Sequence, residues 1–386
     1  MSIGGYTTGW GSSNGSGGGA AFGTPRGTRD LLPAEAALRH AVEERVRRVF
    51  TAFGYREVRT PVFEREAVVA QGAAPGQQAN VFRFFSPDGE VLALRSDLTT
   101  PIARLVTQRL SGERRPLRLF YVADVFRWAE PGGGRQRQFG QAGVELVGAG
   151  GPAADAEVVL LAIRALEAAG VADFRLDLGQ VAFFTGLLAE SGLGRAEQEA
   201  VHEAFLAKDW VGLEATLARV CPEPERRRRI FALTDLRGGR EVLDRAAELV
   251  ELEEGEARRA LENLASVWSI LEGFGVAGRL AIDLGLVKDL AYYTGLVVEG
   301  YVPRLGYTLC TGGRYDGLYA QFGAAEPATG FALGLERVTE ALARQDEAGG
   351  AAGGREEGFA STPAPGDEAW VAWVAERLAD PAGKGR

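Results

Sequence analysis

The sequence predicts an α+β fold: a mostly antiparallel sheet with flanking helices and a helical insertion. Three observations point there. A segment with helical periodicity opens the structured part of the chain. Alternating segments separated by turn signals follow it. Residues from about 181 to 275, rich in Ala, Leu, Glu and Arg, then interrupt the strands before further strands appear. Neither a strand-GxGxxG-helix unit nor a GxxxxGK[ST] loop is present, which argues against dinucleotide and P-loop readings.

Taken in order, residues 1–24 are Gly/Ser-rich and read as a flexible tail, with no basic start and no apolar core of a signal peptide. Pro33 and Glu35 mark a helix start. Leu38, Val42, Val46, Val49 and Phe53 follow at helical spacing and predict a buried face. "YREVRTPVFE" reads as one strand ending near Pro61. "NVFRFFSPDGEVLALRSD" reads as a hairpin, because Pro-Asp-Gly is a turn signal. A short helix, "TTPIARLVTQRL", and a strand, "RPLRLFYVADVFRW", come next. After "PGGG", the segment "RQRQFGQAGVELVG" alternates, so Arg135, Arg137, Phe139, Gln141 and Glu145 share one face. Such a face is either solvent-exposed or lines a polar site.

"DAEVVLLAIRALEAAG" predicts a helix stopped by Gly170. "FRLDLG" precedes the insertion; "RLAIDLGLV", "AYYTGLVVEGYV" and "YTLCTGGRYDG" follow it as strands. "TGFALGLERVTEALARQ" is a strand running into a helix. The structured domain is expected over 25–342, a Gly/Ala/Pro linker over 343–368, and a short C-terminal remnant over 369–386.

The chain has 386 residues, 46% of them hydrophobic and 25% charged, within the range of a soluble globular protein. A net charge of −9 gives no push toward nucleic acid. Cys221 and Cys310 lack CxxC spacing, so a reduced, cytoplasmic protein is the simpler reading. His40 and His202 read as exposed helical residues. Scattered His and Cys suggest no metal site, since zinc takes about four clustered ligands. No apolar run approaches the roughly 18 residues of a membrane helix.

Four stretches carry polar residues that can converge: "LRSDLTTP" with Asp97 and Thr99; "FRWAEPGGGRQRQFGQAGVE" with Arg127, Gln141 and Glu145; "LGLVKDLAYYTG" with Lys288, Tyr292 and Tyr293; and "TGGRYDGL" with "GFALGLER", contributing Arg314 and Arg337. Each also has a plain structural reading. Asp97 precedes a helix and is a natural N-cap, and strand tyrosines are commonly core or rim residues. Arg337 near a helix start opposes the dipole preference and favours an anionic partner there.

From about Thr24 to Leu342, these motifs in this order resemble the catalytic domain of the histidyl-tRNA synthetase family, of class II aminoacyl-tRNA synthetase fold. "RGTRDLLP" is similar to that family's N-terminal signature. "VRTPVFE" looks like motif 1, a dimer-forming segment. "FRWAEPGGGRQRQFGQAGVE" looks like motif 2 and "GFALGLER" like motif 3. "LVKDLAYYTG" looks like the histidine-specific motif, with "TGGRYDGL" as the glycine loop after it. The resemblance implies a histidine pocket of Asp97, Thr99, Arg127, Gln141, Glu145, Tyr292 and Tyr293.

The chain departs from the family where catalysis is concerned. Ala129 replaces the motif 2 glutamate that contacts ATP. Lys288 replaces the arginine that helps adenylate formation, and an ammonium cannot reproduce a bidentate guanidinium contact. Ala291 replaces the aspartate of the same motif, and Gly140 stands where the synthetase has histidine. Residues 338–386 follow motif 3, and with the linker set aside they are expected to be too few for an anticodon-binding domain.

Histidine-facing residues kept beside impaired catalytic ones resemble the regulatory subunits of ATP phosphoribosyltransferase, synthetase paralogues. That resemblance implies no catalytic residue, no cofactor and no tRNA charging. It implies a short-form catalytic subunit as partner in the first step of histidine biosynthesis, L-histidine as feedback effector, and self-association around Pro61. Two alternatives remain at this stage: a divergent histidyl-tRNA synthetase, and a stand-alone histidine sensor.

Overall fold

Apolar side chains recurring at helical spacing bury α1, Pro33–Ala52, along Val42, Val46, Val49 and Phe50. The Glu35 carboxylate accepts the Leu32 backbone N–H at 3.1 Å, closing the first turn. Leu38 departs from expectation: it is 36% exposed, because the buried stripe begins a turn later. The computed structural model describes residues 23–72, 80–128, 136–287 and 293–349.

"YREVRTPVFE" is two strands in two sheets, β1 (Arg56–Glu57) and β2 (Phe63–Arg65), rather than one. Pro61 has no N–H to give a ladder, so the chain crosses between sheets there. The Arg95 guanidinium fixes the crossing by donating to the carbonyls of Thr60 at 2.8 Å and Pro61 at 3.1 Å. After α2 (Glu66–Gly72), β3 (Arg83–Phe85) and β4 (Val91–Leu94) form the expected hairpin, and β2 adds to β4 as a three-stranded sheet.

The main sheet has nine strands. After α3 (Thr99–Arg109) come β5 (Leu117–Phe126) and β6 (Gln138–Val147), then α4 (Gly151–Ala169) and β7 (Arg175–Gln180). Gly170 caps α4 at φ 101°, a conformation that favours glycine. Between β7 and β9 (Leu280–Asp283) lie α5 (Val181–Glu190), α6 (Arg195–Ala207), α7 (Trp210–Val220), α8 (Pro224–Ala232), β8 (Arg237–Gly238), α9 (Glu241–Ala247) and α10 (Glu256–Gly273). The chain continues through β10 (Leu296–Tyr301), β11 (Thr308–Arg314), β12 (Ala328–Gly334) and α11 (Leu335–Gly349). Strand order is β1-β5-β6-β12-β11-β10-β7-β9-β8, and all pairs except β1–β5 and β7–β9 run antiparallel. This is the predicted α+β fold with a mostly antiparallel sheet. Among the described residues no helix is long and apolar enough to cross a membrane.

Period-two alternation sorts the two faces of the sheet. Phe120 of β5 and Ala142, Val144 and Leu146 of β6 join the larger core under α1, α4 and α10. Leu117, Leu119, Tyr121 and Val125 of β5, with Val147 of β6, join a smaller core under α3 and the 3-10 turn Tyr319–Phe322. Gln141 and Glu145 project to this second side. His202 is a correction: it is 8% exposed and packs by the Phe184 ring, where the insertion's helices join the main core, whereas His40 is exposed as expected.

Candidate functional site

The alternating face of β6 is neither open to water nor apolar. Gln141 is 8% exposed and Glu145 1%. Gln141 Oε1 and Glu145 Oε2 have no hydrogen-bond partner among the described residues. Buried polar atoms are nearly always paired, so two orphans on one strand face call for a specific explanation.

Glu145 sits opposite Gly330 in the β6–β12 ladder. A Cβ at Gly330 would lie 2.5 Å from Glu145 Oε2 and 2.8 Å from the Tyr315 hydroxyl, so the glycine is what leaves room for the carboxyl. Thr99, at the start of α3, places its hydroxyl in hydrogen-bonding reach of both Glu145 and Tyr121. Asp97 caps α3 by accepting the Thr100 N–H at 2.8 Å, and its charge still reaches Glu145. Asp97 thus caps α3 while its charge is felt at Glu145. Tyr293 bonds to Thr311 through its hydroxyl and faces Glu145 and Arg127.

Burial pushes the Glu145 carboxyl well above its ordinary range; the Asp97 charge adds to this, and the Thr99 bond opposes it. The phenols of Tyr121, Tyr293 and Tyr319 are also raised, chiefly by burial and then by Glu145. Every other buried carboxylate of the described residues has an arginine: Glu64 with Arg104 at 2.6 Å, Asp155 with Arg314 at 2.8 Å, Glu157 with Arg118 at 2.7 Å and Asp177 with Arg237 at 2.6 Å. Glu145 has none.

A cavity of about 340 Å³ adjoins this group, lined by Gln141 and Arg127 together with Phe139, Thr311, Cys310 and Arg337. Arg127 donates from Nε to the Ser96 carbonyl at 2.7 Å and lies 5.3 Å from the Phe139 ring centre, which holds its guanidinium at the cavity edge. Arg337 donates to the Thr308 carbonyl at 2.7 Å. Burial raises the Cys310 thiol far above its normal value, so it stays protonated and is a poor nucleophile.

The structure thus brings together Asp97, Thr99, Glu145 and Tyr293, with Arg127 and Gln141 on the adjoining cavity wall. Arg314 is a correction: it is spent on Asp155 and Asp316 and does not line the cavity. Tyr292, the altered positions Ala129, Lys288 and Ala291, and Arg135 lie outside the described residues.

Sequence reasoning missed Arg39. Its guanidinium bridges Glu43 at 2.8 Å, Asp124 at 2.6 Å and Glu336 at 3.0 Å, tying α1, β5 and α11 under the cavity. A Cβ on Gly140 would fall 2.6 Å from Arg39 Nη2 and 2.9 Å from Leu335 Cδ1, so a histidine at that position would have to displace the Arg39 guanidinium from its three carboxylates. The glycine at 140 was the available signal. Tyr121 was also missed, although β5 alternation places it on the Glu145 side.

Comparison with known proteins identifies the family. Residues 27–338 match the family model described as histidyl-tRNA synthetase. An ATP phosphoribosyltransferase regulatory subunit from Moorella thermoacetica is 47% identical over 324 residues, covering 84% of this chain and 82% of that protein. The crystal structure of an ATP phosphoribosyltransferase regulatory subunit/histidyl-tRNA synthetase from Bacillus halodurans superposes with a TM-score of 0.78 at 32% identity, covering 85% of this chain and 91% of that one. A histidyl-tRNA synthetase from Nostoc superposes with a TM-score of 0.72 at 26% identity, covering 85% and 76%. The class II synthetase fold and these matches give one conclusion: the chain belongs to the histidyl-tRNA synthetase-like family of ATP phosphoribosyltransferase regulatory subunits.

Proposed function

We propose that this chain is the non-catalytic, histidine-responsive subunit of a hetero-oligomeric ATP phosphoribosyltransferase in the cytoplasm. It binds free L-histidine in the Glu145 pocket and transmits that occupancy to a short catalytic partner. The observation that carries the reading is Glu145 itself, a buried carboxyl with no cation among the described residues, beside an unsatisfied Gln141. A protonatable ring and an ammonium supply what these groups lack, and Arg127 offers a guanidinium for the ligand's carboxylate.

The same chain does not make histidyl-adenylate or charge tRNA. Ala129 and Lys288 stand where ATP contact and charge stabilisation are needed. Loss of one preorganised donor costs about 100- to 1000-fold in rate. The synthetase-like domain spans 25–342 with its insertion at about 181–275. Self-association uses the segment around Pro61, where Val62 and Phe63 are 45% and 51% exposed.

The test is co-purification with the short catalytic subunit, an assay of phosphoribosyl transfer with and without histidine, and ATP–pyrophosphate exchange on the pure chain. The reading expects a stable complex, histidine-sensitive transfer and no exchange. Separate elution at micromolar concentration, or robust histidine-dependent exchange, contradicts it.

A further inference from the structure

We infer that the Glu145 site holds its ligand's ring as the imidazolium, with the ring charge set against the Glu145 carboxylate, even at a pH where free histidine carries a neutral ring. This inference rests on the histidine reading above and adds to it the protonation state that the pocket selects.

The argument is one of charge around a single carboxyl. Gln141 on the same strand is neutral. Asp97, ahead of α3, contributes a second negative charge. Tyr121 of β5, Tyr293 ahead of β10, Tyr319 of the 3-10 turn and Tyr55 across the sheet all feel Glu145, and each is a phenol that stays neutral at physiological pH. The Tyr315 hydroxyl lies beside Gly330, near Glu145, and is likewise uncharged. Among the described residues no arginine or lysine acts on Glu145, whereas Arg127 acts on Tyr293. Among the described residues the group therefore holds two acids and no base, and the more deeply buried acid has an oxygen with no partner.

In a dry site an isolated carboxylate takes a proton, and an approaching base that can carry that proton lets the carboxyl ionise again. An imidazole does this at little cost, because its own pKa is about 6.5. The proton that Glu145 otherwise holds moves to the ring nitrogen facing it, which yields a carboxylate–imidazolium pair joined by a charge-assisted hydrogen bond. Proton count is conserved: where Glu145 is already protonated the proton shifts to the ring, and where it is ionised one proton enters from solvent. The pocket thereby discriminates by basicity as well as shape. A ring of the same size that cannot be protonated leaves Glu145 either neutral or unpaired.

The experiment uses the full chain with L-histidine labelled with ¹⁵N in the ring, observed by NMR at pH 8.5, where about 1% of the free ring is protonated. The expected result is a bound ring with both nitrogens at imidazolium positions in the wild type, and a neutral, single-N–H pattern in Glu145→Gln. A neutral pattern for the ring bound to wild type overturns the inference while leaving histidine binding intact. No bound signal at any concentration overturns the histidine reading and this inference with it. The wild-type spectrum alone decides the matter if the variant does not fold.

Discussion

Asp155 and Glu145 are equally buried, each 1% exposed, yet the fold treats them oppositely. Asp155, on α4, meets Arg314 of β11, whose Nε donates to it at 2.9 Å while Nη1 reaches Asp316. Burial still pushes the Asp155 carboxyl up, but Arg314 pulls it back. Glu145, on the other face of the same sheet, meets phenols, a threonine and another acid. The difference teaches that desolvation alone does not mark a site. The same cost is met inside the protein at Asp155 and left open at Glu145, and only the open position needs something from outside.

The sharpest way to break this comparison is to remove the cation at the closed junction. Arg314→Met strands Asp155 and is expected to lower stability by about 3–5 kcal/mol, measured by urea denaturation. Glu145→Gln should leave stability within about 1 kcal/mol of wild type or raise it, because no cation is stranded. Equal losses at the two sites would erase the contrast.

The next effect is on ligand affinity. Glu145→Ala is expected to weaken histidine binding by about 1–3 kcal/mol in calorimetry, while the Arg118→Ala change at Glu157, outside the pocket, should leave affinity unaltered in whatever fraction folds. Equal affinity for wild type and Glu145→Ala would move the site elsewhere.

A third effect follows from proton linkage. The folded Glu145 carboxyl titrates above its ordinary value of 4.5. Between 4.5 and the folded value the native state therefore binds more protons than the unfolded chain, and stability falls as pH rises. The slope from one group is at most about 1.4 kcal/mol per pH unit. The difference in unfolding free energy between Glu145→Gln and wild type, without histidine, should grow in the variant's favour as pH rises from 4.5. A pH-independent difference would show a carboxyl that is already ionised.

The smallest effect lies at a third buried acid. Glu157 is held by Arg118 through two bonds of 2.7 Å and by the Tyr55 hydroxyl at 2.9 Å. Since the arginine already pairs the acid, Tyr55→Phe should cost only about 0.5–1.5 kcal/mol in thermal unfolding. A much larger loss would show that the paired junctions are less self-sufficient than the comparison holds.

Much of this was legible in the sequence. The α+β class, the helix at Pro33, the Pro-Asp-Gly hairpin and the face shared by Gln141 and Glu145 all follow from local periodicity and turn chemistry. Other features depend on partners distant in sequence and could not be read locally. The crossing at Pro61 needs Arg95 to hold two carbonyls. His202 is buried because the insertion's helices pack around Phe184 and Phe205 as part of the main core. Arg314 looked like a site residue until α4 supplied Asp155. Arg39 looked like one more charged residue on an amphipathic helix, since Asp124 lies 85 positions away and Glu336 297. Periodicity placed Glu145 on a polar face; only three-dimensional packing shows that, among the described residues, no arginine pairs with it.

The most direct test of the central claim joins pocket to regulation. Phosphoribosyl transfer by the short catalytic subunit is measured with saturating wild-type chain or Glu145→Gln, across a histidine titration. The account predicts that both chains support transfer in the absence of histidine, and that the variant needs about 5- to 150-fold more histidine for half-inhibition, the equivalent of about 1–3 kcal/mol. Identical half-inhibition with the two chains would contradict it and place histidine control outside the Glu145 pocket.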